Sequence, residues 1–141
     1  MKIFAVIDTN VLVSALLKYD SIPGVIVKSA VTGKIIPVLS EKIIGEYNEV
    51  LHREKFKFSN QDIHMVIHAF IRHGTFFTPS EIEDIIPDEK DIEFYAVTME
   101  ARKEHTAYLI TGNIRHFPAK PYVVTPREFL NILECMSKAL R

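Results

Sequence analysis

Five consecutive apolar residues, Ile3-Phe4-Ala5-Val6-Ile7, end abruptly at an acid, Asp8, and no other feature constrains the chain as strongly. The run has no polar alternation, so a strand built from it is buried on both faces, as inside a parallel sheet. A carboxylate at the carboxyl end of such a strand stands where open α/β sheets bind their ligands.

The rest of the chain repeats the alternation of strand and helix. Thr9 or Asn10 is expected to cap a helix over Val11 to Leu17, and Pro23 stands near the start of a second helix that stops at Gly33. Ile35 to Leu39 forms a second strand. Ser40 then opens a helix to about Arg53, whose apolar face is Ile43, Ile44, Tyr47, Val50 and Leu51. Ser59 with Asp62 resembles a capping box for a helix with the stripe Ile63, Val66, Ile67, Phe70 and Ile71, and Gly74 follows its end. Thr75 to Thr78 predicts a short strand. Beyond the loop from Pro79 to Pro87, a helix runs from Glu89 to Glu104 with Phe94, Val97, Thr98 and Ala101 on one side. Ala107 to Thr111 and Pro121 to Val124 complete the strands, and Thr125, Pro126 and Glu128 start a last helix. This pattern predicts an α/β fold in three layers, with a mostly parallel central sheet of about five strands. It is expected to be one domain, 1–141, with a peripheral tail after about residue 134.

Composition removes several function classes. A formal charge of −1 provides no overall field for nucleic acid, which weighs against a plain nucleic-acid-binding module. Apolar residues at 48% and charged residues at 25% are a globular balance rather than a disordered one. Cys135 is the single cysteine and forms no intrachain disulfide. Asp8, Thr9 and Asn10 interrupt the apolar amino terminus, which argues against a signal peptide or a membrane span. A cytoplasmic location is expected.

Asp8 has an ordinary role open to it as a capping or turn acid, as do Thr9 and Asn10. Glu46 lies on the edge of its helix's apolar stripe, where a boundary residue with a solvated head would also stand; Glu49 points away. Asp88 and Asp91 suit the N-cap and N3 positions of the following helix, whose positive end favours acids, and Glu89 and Glu93 are expected to be solvated. Thr111-Gly112-Asn113 reads equally as a turn with glycine at positive φ and as a strand-end oxygen ligand. Taken together these positions supply hard oxygen donors without a Cys or His cluster, which selects Mg²⁺ or Mn²⁺ over zinc. Carboxylates packed together raise one another's pKa unless a cation neutralises them.

The motifs resemble those of PIN-domain nucleases. Val6-Ile7-Asp8-Thr9-Asn10-Val11-Leu12 is similar to that family's opening motif, and the stretch from Ser40-Glu41 through Glu46 to Leu51 to its second. Pro87-Asp88-Glu89-Lys90-Asp91-Ile92-Glu93-Phe94 resembles the third, which assigns the metal ligand to Asp91 with Asp88 as the lesser candidate. Tyr108-Leu109-Ile110-Thr111-Gly112-Asn113 matches the fourth, except that Asn113 stands where many members carry Asp. The likeness runs from Lys2 to about Leu133. It implies a PIN-like fold in which Asp8, Glu46 and Asp91 are catalytic and hold Mg²⁺ or Mn²⁺. Asn113 is then a further metal contact, with Thr9, Asp88 and Thr111 supporting. Arg115 and His116, just after the fourth motif, are candidates for substrate phosphates, although a solvated loop explains them as well. The implied activity is an endoribonuclease acting on single-stranded RNA, as the toxin of a toxin–antitoxin pair, with a cognate antitoxin and a homodimer as protein partners. The alternative is a catalytically impaired PIN-like module that binds RNA or a protein, favoured by Asn113 and by the acidic balance.

Other signals are weaker. His64 and His68 stand one turn apart, yet Met65 occupies the position that is Glu in a zinc-peptidase helix, so the pair is read as flanking the apolar stripe. A phosphatase of the haloacid dehalogenase type needs a second Asp two residues after Asp8, where this chain has Asn10. A receiver domain needs an acidic pair and a strand-end Lys that cannot be placed. Phe56, Phe58, Phe76 and Phe77 are expected in the core or an interface.

Overall fold

The computed structural model describes residues 2–139, so Met1, Leu140 and Arg141 of the expected domain lie outside the described residues. Five strands form one parallel sheet: β1 (Phe4–Ile7), β2 (Ile36–Leu39), β3 (Thr75–Phe76), β4 (Ala107–Ile110) and β5 (Val123–Val124), in the order β3-β2-β1-β4-β5. Every β1 residue is buried, as the unbroken apolar run requires. Six helices accompany the sheet: α1 (Thr9–Leu17), α2 (Ile22–Val31), α3 (Glu41–Leu51), α4 (Asn60–His73), α5 (Glu89–Arg102) and α6 (Pro126–Ala139). The architecture is the three-layer α/β/α arrangement expected.

The caps explain most boundaries. Ser40 Oγ accepts from the Ile43 amide to start α3, and Ser59 Oγ accepts from the Asp62 amide to start α4. Thr125 and Glu128 form a reciprocal capping box: each backbone N–H donates to the other's side chain, at 2.9 and 3.2 Å. At α1 the cap is one residue earlier than expected. Asp8 itself caps the helix, accepting from the Thr9 amide at 2.8 Å, because the chain bends into the helix directly after the last sheet residue.

Two expectations are corrected, and that for Phe76 is narrowed to a place outside the core. Ile71 is 43% exposed, since it lies at the margin of the α4 stripe whose buried members are Ile63, Val66, Ile67 and Phe70. Phe76 is 49% exposed on the short edge strand β3, whereas Phe58 and Phe77 pack on the core and Phe56 stacks on Phe58. Gly112 does not take a positive φ; among the described glycines Gly33 alone does, at 79°. What restricts residue 112 is proximity, because a Cβ there would come within 3.1 Å of Asn10 Oδ1.

No single helix among the described residues is long and apolar enough to cross a membrane. The bent pair α1 and α2 passes on length and composition together, with 105° between the helices. Both helices bury apolar side chains in the core, among them Val11, Leu12, Ile26 and Val27.

Candidate active site

The strand order reverses direction between β1 and β4, the strand pair at which an open α/β sheet leaves a crevice at its carboxyl edge. Asp8 follows β1 and Thr111 follows β4, so the topology itself sets them side by side. The Asp8 amide donates to Ile110 O at 2.9 Å, and Thr111 Oγ1 donates to Asp8 Oδ2 at 2.7 Å. Two residues from the start of each segment complete the arrangement. Asn10 Nδ2 donates to Asp8 Oδ2 at 3.1 Å while Asn10 Oδ1 accepts from the Gly112 amide at 2.9 Å, strapping the two strand ends together. The Asn113 amide donates to Thr111 Oγ1 at 3.0 Å.

Burial and a network of donors pull Asp8 in opposite directions. Asp8 is 5% exposed, and its pKa lies above the ordinary carboxylate value chiefly because burial penalises the charge. The Thr111 hydroxyl opposes that shift, the Asp91 charge adds to it, and the Thr9 amide and Asn10 oppose it further. Below this carboxylate lies Tyr47 of α3, fully buried, whose hydroxyl donates to Ile7 O at 2.5 Å. Burial, reinforced by the Asp8 charge, pushes the Tyr47 phenol well up, so it remains a hydrogen-bond donor at any physiological pH.

Asp91 arrives from the first turn of α5. Asp88 is the N-cap, accepting from the Lys90 amide at 3.0 Å, and this orients the turn that carries Asp91. The Asp91 side chain is 14% exposed, and its Oδ2 is buried without a hydrogen-bond partner. Its pKa is also raised, first by burial, then by the Asp88 charge, with His116 opposing and Glu46 contributing a further rise. His116 Nδ1 lies 3.4 Å from Asp91 Oδ2, too far for a good hydrogen bond but close enough for charge to matter.

The expected residues are therefore brought together unequally. Asp8, Thr111 and Asn10 are in direct contact, and Asp91 is their electrostatic neighbour. Glu46 is half-buried and its charge bears on Asp91 rather than on Asp8. Thr9 is buried with no partner for Oγ1, and Asn113 is exposed. Among the described residues no three His, Cys, Asp or Glu side chains already gather as a formed metal cluster. The donor set nevertheless suits a hard divalent cation: it consists of carboxylate, amide and hydroxyl oxygens, and one buried carboxylate oxygen has no donor.

Several residues in the site carried little signal in the sequence. Asn10 and Tyr47 read as a turn residue and an apolar-face residue, yet one straps the strand ends and the other holds the carbonyl before Asp8. Glu93 is half-buried rather than solvated, because Ser40 Oγ donates to its Oε2 at 2.6 Å and ties α5 to the start of α3. A cavity of about 380 Å³ between α3 and α5 is lined by Glu46 together with Lys42 and Lys90, two cations that the motif spacing did not single out. His116 sits against Asp91, whereas Arg115 lines a separate cavity with Phe117 and Lys120.

The family model described as PIN domain matches residues 5–115 of this chain. The chain belongs to the PIN-domain family. PIN domains are generally nucleases that depend on Mg²⁺ or Mn²⁺ and bind RNA. A relative of this PIN domain is the uncharacterized protein MJ1680 of Methanocaldococcus jannaschii, 29% identical, with 95% of this chain and 94% of the relative covered. No solved structure matches the chain.

Proposed function

We propose that this PIN domain is a metal-dependent endoribonuclease that hydrolyses phosphodiester bonds in single-stranded RNA, with Asp8, Glu46 and Asp91 as its catalytic carboxylates. The observation that carries the reading is Asp91 Oδ2, a buried carboxylate oxygen that lacks a donor and stands close enough to Asp8 for its charge to raise the Asp8 pKa. A cation relieves both conditions. Asp8, Glu46 and Asp91 would hold Mg²⁺ or Mn²⁺, with Asn113 as a further contact and Thr9, Asp88 and Thr111 in support. Such an ion, when bound, supplies Lewis-acid stabilisation of the phosphate and a more acidic water.

The chain's own groups do the remaining work. Thr111, Asn10 and the Thr9 amide fix the orientation of Asp8. Lys42 and Lys90 are individual candidates for phosphate contacts along the groove they share with Glu46, Glu89 and Glu93. His116 lies beside Asp91 and is placed to meet a phosphate there, with Arg115 as a more distant contact. The finer reading is a toxin of a toxin–antitoxin pair: a single domain, 1–141, that is cytoplasmic, dimeric and silenced by a cognate antitoxin. It rests on the resemblance of the four motifs.

The test is cleavage of single-stranded RNA in Mn²⁺ by the wild type, Asp8→Asn and Asp91→Asn. Cleavage is expected to fall at least about 100-fold in both variants, the scale of losing electrostatic stabilisation of a transition state. Undiminished cleavage by the folded variants overturns the assignment. The second reading, a PIN-like module that binds RNA or a protein without cutting, is favoured by the exposed, uncharged Asn113. It predicts retained RNA binding with no turnover in the wild type.

A further inference from the structure

We propose that His64 and His68 of α4, with His52 at the end of α3, form a second metal site that takes one borderline transition-metal ion such as zinc. The site is separate from the carboxylates and independent of the nuclease reading. His64 and His68 are one helical turn apart, and both are exposed. Their rings face one another with centroids 3.9 Å apart and planes inclined by 32°. Two imidazoles on one helix face in this proximity form a two-nitrogen chelate once a small rotation brings one nitrogen of each onto a shared ion. Both rings project from the helix surface, so that rotation disturbs little packing.

The third histidine supplies what the pair lacks. His52, His64 and His68 line one cavity of about 310 Å³ between α3 and α4. His52 Nδ1 lies 2.7 Å from Asn48 O, and a carbonyl only accepts, so Nδ1 carries the proton. In the neutral ring this leaves the Nε2 lone pair free, the arrangement that metal-binding histidines adopt. Asn48 and Asn60 also line the cavity and can support a water in the fourth position. Among the described residues no three His, Cys, Asp or Glu side chains stand where they could hold an ion as they are, so the site requires the rings to move toward one another from the two adjacent helices.

Imidazole nitrogen prefers zinc, nickel or copper, whereas the carboxylate site prefers magnesium or manganese. The two sites therefore separate by metal. The experiment is calorimetric titration of untagged protein with Zn²⁺ in excess Mg²⁺, which competes for any carboxylate site. One equivalent of zinc is expected to bind the wild type and Asp91→Asn equally. His64→Gln, His68→Gln and His52→Gln should each weaken it by about 10- to 100-fold or more, since losing even a ligand's supporting partner has that effect. All three side chains are exposed, so circular dichroism melts should match the wild type and show that folding is intact. Zinc binding that survives His64→Gln or His68→Gln, or that is lost in Asp91→Asn, overturns the site. Binding unchanged in His52→Gln overturns the three-histidine assignment.

Discussion

Replacing Asp91 by Asn separates what the acidic site costs the fold from what it does for an ion. Asp91 Oδ2 is buried without a donor, and burial together with the charges of Asp88 and Glu46 raises its pKa above the ordinary value of 3.8. A carboxylate whose folded-state pKa is raised binds its proton more tightly in the native state. Its charge therefore destabilises the fold above that pKa, and the penalty vanishes as the pH falls through the folded value to the unfolded one. Asn is nearly the same shape and carries no charge, and the one neighbour it leaves behind is the exposed His116 ring, whose Nδ1 stands 3.4 Å from Oδ2. The gain at neutral pH is expected on the scale of an ordinary single substitution, about 1 kcal/mol. For a chain of this length that raises Tm by about 3–5 °C. Manganese reverses the order. An ion at 100 times its dissociation constant adds about 2.7 kcal/mol to the native state, and Asp91→Asn forfeits most of that. Thermal melts in EDTA and in Mn²⁺ should therefore cross: the variant melts above wild type in chelator and below it with metal. In EDTA the gap should close as the pH approaches about 4. A variant that melts at or below wild type in EDTA refutes the charge penalty. Equal stabilisation of both proteins by Mn²⁺ refutes the ligand.

Tyr47→Phe deletes a fully buried donor to Ile7 O and should lower stability by about 1–2 kcal/mol, read from urea unfolding; an unchanged midpoint would show that the carbonyl has another partner. Asn113→Asp adds a carboxylate beside the strand ends and should tighten Mn²⁺ binding about tenfold by calorimetry; unchanged affinity would remove residue 113 from the metal's surroundings.

How much of this was legible in the sequence depends on the range of each interaction. Strands β1, β2 and β4 follow from short apolar runs, and the starts of α3, α4 and α6 from a hydroxyl followed three residues later by its partner. Those are local relations. Asp8 stood out because an acid ended an apolar strand, whereas the first-turn position of Asp91 suited an ordinary helix-start acid and only its likeness to the third motif singled it out. Asn10 did not stand out, since the group it grips, the Gly112 amide, lies 102 residues away. Tyr47 read correctly as a core residue, but its hydroxyl's use depends on the 40-residue separation from Ile7 O closing in the fold. Glu93 read as solvated because the helical period places it off the buried stripe, and only the approach of α3 gives it Ser40. Gly112 misled in an instructive way: glycine marks both positive φ and close approach, and one sequence does not distinguish them.

Asp8 and Asp91 are built for different tasks, and counting acceptors shows why. An ionised carboxylate offers about four lone-pair positions. Asp8 commits three of them, to the Thr9 amide, the Asn10 amide group and the Thr111 hydroxyl, all of which donate. Its orientation is thereby fixed by both strand ends, with one position left for anything else. Neutralising it as Asn would turn an amide donor toward at least one existing donor, so the gain from removing a buried charge is offset by lost hydrogen bonds. Asp91 Oδ2 commits none. The fold thus holds one acid rigidly at the reversal of strand order and leaves the other unsatisfied beside it. The unsatisfied acid is where a cation has the most to offer, since it replaces no hydrogen bond there. If the two acids hold an ion as proposed, Asp91 sets how tightly it binds and Asp8 where it sits.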